Sequence, residues 1–305
     1  MVFVNSLRLL RSNWSKALKF FLYYIVVWGI CIALFLPVAF EFEQIFSSNF
    51  NEISGYFAGV FKGNLGENLH GMIVTAGDAI VDIFDANVGL AIYGLIVMFV
   101  ILPFVINVGK YTLECMLYSY MTSKNQIGFF SAFVKNLKKS VLFALCKVGY
   151  NLIFLAITIS AVFGLGLVED ETFVRYLLPL AEILVLVLLF TLNQILVLGW
   201  APASIVFDCG VFTAFRKGVK AVRRHFWKIF GVTFCYFLLF WALVMIFGVY
   251  TMIVLVPVMT ILLTVYNMTV FFTSQGMRFY VNDSQILTPK KLEEVDNINK
   301  TAFLL

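Results

Sequence analysis

Few residues in this chain belong to the types and spacings that carry out covalent chemistry. There are two histidines, His70 and His225, far apart, and five cysteines: Cys31, Cys115, Cys146, Cys209 and Cys235. No Gly-rich loop ending in Gly-Lys-Ser/Thr, no His-Glu-x-x-His and no Cys-x-x-Cys is present. No serine has the surroundings of a nucleophile elbow. Two isolated histidines do not make a metal site without carboxylate help. His225 falls at the edge between the polar and apolar faces of a basic helix, where an interfacial residue belongs. Glu114-Cys115 and Asp208-Cys209 are both acid–cysteine pairs, but they hold non-equivalent places and read as coincidence. The expectation is a protein that is not an enzyme, with no cofactor and no metal.

Charge and side-chain amides remain. The stretch from Asp208 to Gly231 holds Arg216, Lys217, Lys220, Arg223, Arg224 and Lys228. At 3.6 residues per turn these cations cover one face, while Val211, Phe215, Gly218, Val219, Val222 and Phe226 fall on the other. Such a helix lies at a lipid surface, with its apolar face in the acyl boundary and its cations near anionic headgroups. The second set is Glu182, Asn107, Asn193, Gln194 and Asn267, all inside long apolar runs. A charge at mid-membrane costs about 2.5–3.5 kcal/mol on insertion scales, so Glu182 has a coupling or substrate role, reaches the interface, or stays protonated. The amides either bond helix to helix or line a polar path.

These residues must be positioned by a membrane scaffold. The 305 residues are 62% hydrophobic and only 13% charged, against about 25% charged in soluble domains. The net charge of +5 is explained by cations flanking spans, and no nucleic-acid motif accompanies it. Six spans are expected: about 20–40, 88–108, 141–168, 176–200, and two within 229–274 that join near Gly248 to Thr251. The first is too long for a signal-peptide core and reads as an uncleaved helix. Lysine and arginine concentrate before the first span, in 109–140, in 202–228 and in the tail, whereas the opposite loops hold only Lys62 and Arg175. That asymmetry predicts cytoplasmic termini. No cysteine then falls in an external loop, and no disulfide framework is implied. The acidic segment 41–87 predicts two short amphipathic helices on the outer surface. A ligand-binding cap is the alternative.

The basic stretch recurs. Gly128-Phe-Phe-Ser-Ala-Phe133 superimposes on Gly210-Val-Phe-Thr-Ala-Phe215, with Lys138 over Lys220. The amino terminus fits the same frame, with Phe3 on Phe215, Arg11 on Arg223 and Trp14 on Phe226. The chain reads as three units of basic amphipathic helix and two spans, about 1–112, 126–200 and 208–281, with 41–87 inserted in the first and a polar tail 282–305. Each even span pairs a proline with an amide: Pro103 and Asn107, Pro179 and Asn193, Pro257 and Asn267.

The junction built from Pro202, Asp208, Gly210, Ala214-Phe215, Phe226-Trp227 and Gly231 resembles a recurrent motif of bacterial six-helix membrane proteins. Among them is the membrane domain fused to some glycerophosphodiester phosphodiesterases. Gly218 departs from the serine that pattern would place there, and no phosphodiesterase domain is present, so that activity does not carry over. The resemblance implies a bacterial plasma-membrane protein.

The expected architecture is thus all-α and polytopic, with six spans, three repeats and both termini in the cytoplasm. The expected role is a non-enzymatic membrane component acting through lipid or protein contacts. Its partners are anionic lipid headgroups and a possible membrane or cytosolic protein, not nucleic acid. The alternative is a small-solute or lipid transporter whose polar path is lined by spans two, four and six.

Overall fold

The computed structural model describes residues 2–60, 65–123, 127–166, 178–223, 225–247, 252–281 and 284–286. Of these, 92% are helical, and six helices are long and apolar enough to cross a membrane. The chain is a helical, multi-pass membrane protein. In order the elements are α1 (Val2–Ser12), α2 (Trp14–Glu41), α3 (Glu43–Val60), α4 (Leu65–Ala86), α5 (Val88–Ile96), a π-turn (Val97–Ile101) and α6 (Leu102–Ser123). Then follow α7 (Phe129–Gly166), α8 (Leu178–Leu198), α9 (Trp200–Val206), α10 (Val211–Arg223), α11 (Phe226–Phe247) and α12 (Met252–Ser274). A two-stranded antiparallel hairpin, β1 (Phe279–Val281) and β2 (Ser284–Ile286), follows α12 and modifies the all-α expectation.

Breaks between helices have local causes. Asn13 stands between α1 and α2, where its amide Nδ2 donates to the Leu9 carbonyl at 2.9 Å and its Oδ1 accepts from Lys16 Nζ at 2.7 Å. A short polar side chain that satisfies nearby backbone competes with the helical ladder. Pro103 has no N–H and would clash with the preceding turn, and the π-turn immediately before it widens the helix to accommodate it. After α12, Gly276 adopts a left-handed φ of 65°. Its N–H donates to Thr273 O, and Met277 N–H donates to Phe272 O at 2.9 Å, a Schellman ending.

Several boundaries differ from the sequence expectation. The second span does not end at Val108 but runs on through α6 to Ser123, burying Lys110 and Glu114. Nothing between 110 and 123 is a glycine or proline that would stop it. The amphipathic stretch 129–140 and the third span form one unbroken helix, α7, and Asn136 within it donates its Nδ2 to Ala132 O at 2.9 Å without breaking it. In the fourth span helix α8 ends at Leu198 and α9 follows as a separate short helix, the apolar span Leu184–Val206 covering both. The segment 41–87 holds helices of 18 and 22 residues rather than two short pieces. The expected join near Gly248 to Thr251, and Lys62 and Arg175, lie outside the described residues, as does the tail beyond Ile286.

The described residues divide into two compact units. One comprises Val26–Val105 and Lys147–Phe190. Within it α3 packs against α4, where the Tyr56 ring lies over Gly71. The Tyr93 hydroxyl donates to Leu34 O at 2.9 Å, in the turn of α2 opened by Pro37. Ile80 and Val81 on α4 stay exposed.

The other unit comprises Met1–Ile25, Ile106–Cys146 and Thr191–Leu305. Its core includes Ile195, Leu198, Val222, Ile229, Tyr266 and Val270, which joins α8, α10, α11 and α12, with Val2 of α1 packed against it. All the basic-helix residues and all four intramembrane amides belong to this unit.

Candidate functional site

Helix α10 is positioned by one close crossing. Gly199, at the break between α8 and α9, lies directly against Gly218 of α10. A Cβ built on Gly218 would sit 2.5 Å from Gly199 C and 2.6 Å from Gly199 O. Only glycine on both sides permits this approach. A serine at 218 would strike that backbone. Beside the crossing, the Trp200 indole Nε1 donates to Val211 O at 2.8 Å, and its ring packs edge-on against Phe215 at 4.9 Å and Phe143 at 5.5 Å. Buried tryptophan needs such a partner for its N–H.

The docked face of α10 is Val211, Ala214, Gly218, Ala221 and Val222, all buried. This revises the expectation that the apolar face lies in the acyl boundary. The small residues on that face admit α9 and the core of the unit, so the face is covered by protein. What remains outward is a stripe in which Phe212, Arg216 and Arg223 follow one another at helical spacing, with Lys220 beside them. Phe212 is 77% exposed, and Trp227 at the start of α11 is 79% exposed. Arg216, Lys220, Arg223 and Lys228 are exposed and make no ion pair among the described residues. Lys217 lies over the Phe207 ring, 4.5 Å from its centroid. Arg224 lies outside the described residues.

The intramembrane set is only partly brought together. Asn107 of α6 and Asn267 of α12 are buried. Asn193 and Gln194 of α8 are half-buried, one turn before the core residues Val197 and Leu198. Asn193 Oδ1, Gln194 Nε2 and Asn267 Oδ1 are each shielded and have no hydrogen-bond partner among the described residues. Glu182 belongs to α8, but its side chain lies outside the described residues.

A further site was not anticipated. Between α6, α7 and the end of α9 lies an open polar cavity of about 480 Å3. From α6 come Tyr111, Cys115, Tyr118, Ser119, Thr122 and Ser123. From α7 come Lys135, Asn136 and Lys139, and from the α9 side Ser204 and Asp208. The Lys139 ammonium pairs with the Asp208 carboxylate. Asp208 holds a left-handed φ of 46°, a region aspartate tolerates better than most residues. That turn reverses the chain between α9 and α10 and aims the carboxylate at α7. Tyr111 Oη and Ser204 Oγ share a hydrogen bond at 3.3 Å. Cys115 and Asp208, from the two acid–cysteine pairs, thus line one cavity, a convergence that non-equivalent sequence positions conceal. The run of hydroxyls from Tyr118 to Ser123 was the available signal.

A second polar cavity, about 430 Å3, lies on the other side of the same turn. It is lined by Phe207, Lys217, Lys220, Ala221, Ser274 and Gln275. Among the described residues no cluster of histidine, cysteine and carboxylate suited to a metal ion occurs. All five cysteines are free thiols.

Comparison with protein-family models, with curated proteins and with solved structures returns no match. The functional reading therefore rests on this geometry.

Proposed function

We propose that this chain is a non-enzymatic component of a bacterial cytoplasmic membrane, with both termini inside, that works by holding anionic lipid headgroups against its basic surface. The observation that carries this is the outward side of α10. Its cations are exposed and free of ion pairs among the described residues, and they stand beside two aromatic side chains, Phe212 and Trp227, that are more than three-quarters exposed. Large exposed aromatics next to unneutralised cations suit the headgroup region, where the rings sit at the interface and the charges meet phosphate. Each Lys or Arg near an anionic surface contributes about 1 kcal/mol. A cytosolic or membrane protein docking on the same stripe is the competing occupant.

The threefold repeat is part of this reading. In its favour, Phe129 and Val211 are buried in register, as are Ala132 and Ala214. Phe130 is 81% exposed at the position matching Phe212. The carbonyls of Gly128 and Gly210 both accept the first helical hydrogen bond, from Ala132 and Ala214 respectively.

The test uses Trp227 as the reporter. The full chain is placed in phosphatidylcholine vesicles containing brominated phosphatidylglycerol or, separately, brominated phosphatidylcholine. Quenching of Trp227, isolated by difference from Trp227→Phe, should be stronger with the anionic lipid. Arg216→Glu/Arg223→Glu should remove that excess. Equal quenching by the two lipids in the wild type, or no change in the variant, would overturn the proposal.

A second reading has its own observation. The shielded Asn193 Oδ1, Gln194 Nε2 and Asn267 Oδ1 lack partners among the described residues, and a buried unmet polar atom costs about 1–3 kcal/mol. A polar path through spans two, four and six would supply water or solute to them, as a transporter requires. If Asn193→Ala and Asn267→Ala abolish cellular function at unchanged abundance while Arg216→Glu/Arg223→Glu does not, transport replaces surface contact as the account.

A further inference from the structure

Two cavities flank the turn at Asp208, and both draw lysines from a basic helix. The first takes Lys135 and Lys139 of α7, and the second takes Lys217 and Lys220 of α10. Laying Gly128–Phe133 on Gly210–Phe215 places Lys135 on Lys217. Each cavity is walled on one side by its own lysine-bearing helix and on another by residues at or just after the end of α9, Ser204, Ile205, Val206 and Asp208 in the first and Phe207 in the second. The remaining wall is the terminal turn of an even-numbered span, 118–123 in the first cavity and 274–275 in the second.

Charge selects the occupant. Asp208 is the one carboxylate in either lining among the described residues, and Lys139 already meets it. Lys135 has no ion pair among the described residues, and Lys217 has only the Phe207 ring, which leaves its three N–H donors unspent. The Tyr118 hydroxyl makes no hydrogen bond among the described residues. Tyr111 and Ser204 together have two hydroxyl protons and use one between them. The linings therefore offer an excess of donors and positive charge in spaces open to the surface. A cation would be repelled, and a neutral polyol would leave the ammonium groups unmatched. A phosphoryl group, with its charge spread over several acceptor oxygens, satisfies the lysines of both cavities and, in the first, the hydroxyls of Tyr118 and of the Tyr111–Ser204 pair; in the second, Ser274 Oγ already donates to Phe271 O.

We propose that each cavity binds one phosphoryl group, giving two equivalent phosphate sites per chain anchored by Lys135 and Lys217. The proposal deepens the anionic-lipid reading, on which the choice of phosphate chemistry rests. It does not need the outward stripe of α10. The phosphoryl group comes either from a phospholipid headgroup at the membrane surface or from a free phosphorylated solute, and the test separates these sources.

The full chain, in nanodiscs of phosphatidylglycerol or of phosphatidylcholine, is released into a native mass spectrometer and its retained lipids are counted. In parallel, inorganic phosphate is titrated calorimetrically into the delipidated protein in a neutral detergent. Two retained phosphatidylglycerols, falling to one in Lys135→Gln or Lys217→Gln and to none in the double variant, support the sites with a lipid source. Two bound phosphates that fall in the same steps support them with a free-phosphate source. Both lysines are exposed, so the variants should melt as the wild type does. Should either misfold, the Arg variant at that position must restore the count. Counts that neither substitution changes overturn the proposal. Loss of the Trp227 quenching excess in Arg216→Glu/Arg223→Glu with intact lipid counts would separate the stripe from the cavities.

Discussion

Replacing Gly218 by alanine probes the contact that positions the basic helix. The new Cβ would start 2.5 Å from Gly199 C, 2.6 Å from Gly199 O and 2.9 Å from Trp200 N. All three are backbone atoms and cannot swing aside. Carbon atoms in contact stand about 3.5–4.0 Å apart, so α10 must withdraw from α9 by roughly 1 Å. Overpacking of this kind costs about 1–3 kcal/mol. The same withdrawal stretches the Trp200 Nε1 to Val211 O bond from 2.8 Å past the limit of a hydrogen bond, about 3.5 Å. Leaving a buried donor unmet adds about 1–3 kcal/mol. Alanine recovers about 1 kcal/mol of helix propensity, so the net loss is about 1–5 kcal/mol. The assay is equilibrium unfolding in mixed detergent micelles with increasing dodecyl sulfate, read by tryptophan fluorescence. Gly231→Ala is the control, because a Cβ there meets nothing within 4 Å, and it should stabilise by up to about 1 kcal/mol. A Gly218→Ala protein as stable as the wild type, alongside a stabilised Gly231→Ala, would refute the reasoning.

Other expectations follow from the same geometry. Trp200→Phe keeps the ring against Phe215 and Phe143 but removes the N–H to Val211 O, and should lower stability by about 1–3 kcal/mol in the same unfolding assay. Asn267→Leu removes a shielded amide oxygen without a partner among the described residues and should raise the melting temperature. A fall would show that the amide is satisfied in the membrane, by water or by a bound polar group. Asp208→Gly relieves the left-handed φ of 46° and loses an exposed ion pair worth about 0–1 kcal/mol, leaving stability near wild type. Asp208→Leu should cost about 1–2 kcal/mol more than the glycine variant. Equal stabilities for those two would deny the strained turn.

The membrane class, the spans and the basic helices were legible because apolar length and helical period act locally. The breaks were less so. Pro103 and Pro202 announce themselves by type, the latter because it has no N–H for the Leu198 carbonyl, but the close approach of Gly199 to Gly218 joins two helices, which periodicity along one helix does not contain. For the same reason the apolar face of α10 was assigned to lipid. An amphipathic pattern tells that a face is covered, not by what, and the small residues Ala214, Gly218 and Ala221 were the clue that another helix covers it. The hydroxyl and lysine cavity escaped because α6 was expected to stop at Val108, which placed Tyr111 to Ser123 in a loop. Once the helix continues, those hydroxyls gather on one wall. Asn107 and Asn267 are buried, since a polar residue in a long apolar run has few other places to go, whereas Asn193 and Gln194 are half-buried.

The central claim is that α10 is docked on protein by its small-residue face and turns Phe212 and its cations to a lipid boundary. Spin labels placed singly along α10, from 211 to 223, in phosphatidylglycerol nanodiscs test it by their accessibility to oxygen and to a water-soluble nickel complex. With Gly218 left unlabelled, the account predicts that labels at 214 and 222 are reached by neither, the label at 212 is reached by oxygen, and labels at 217 and 220 are reached by nickel. Oxygen reaching 214 and 222, or nickel alone reaching 212, would contradict it.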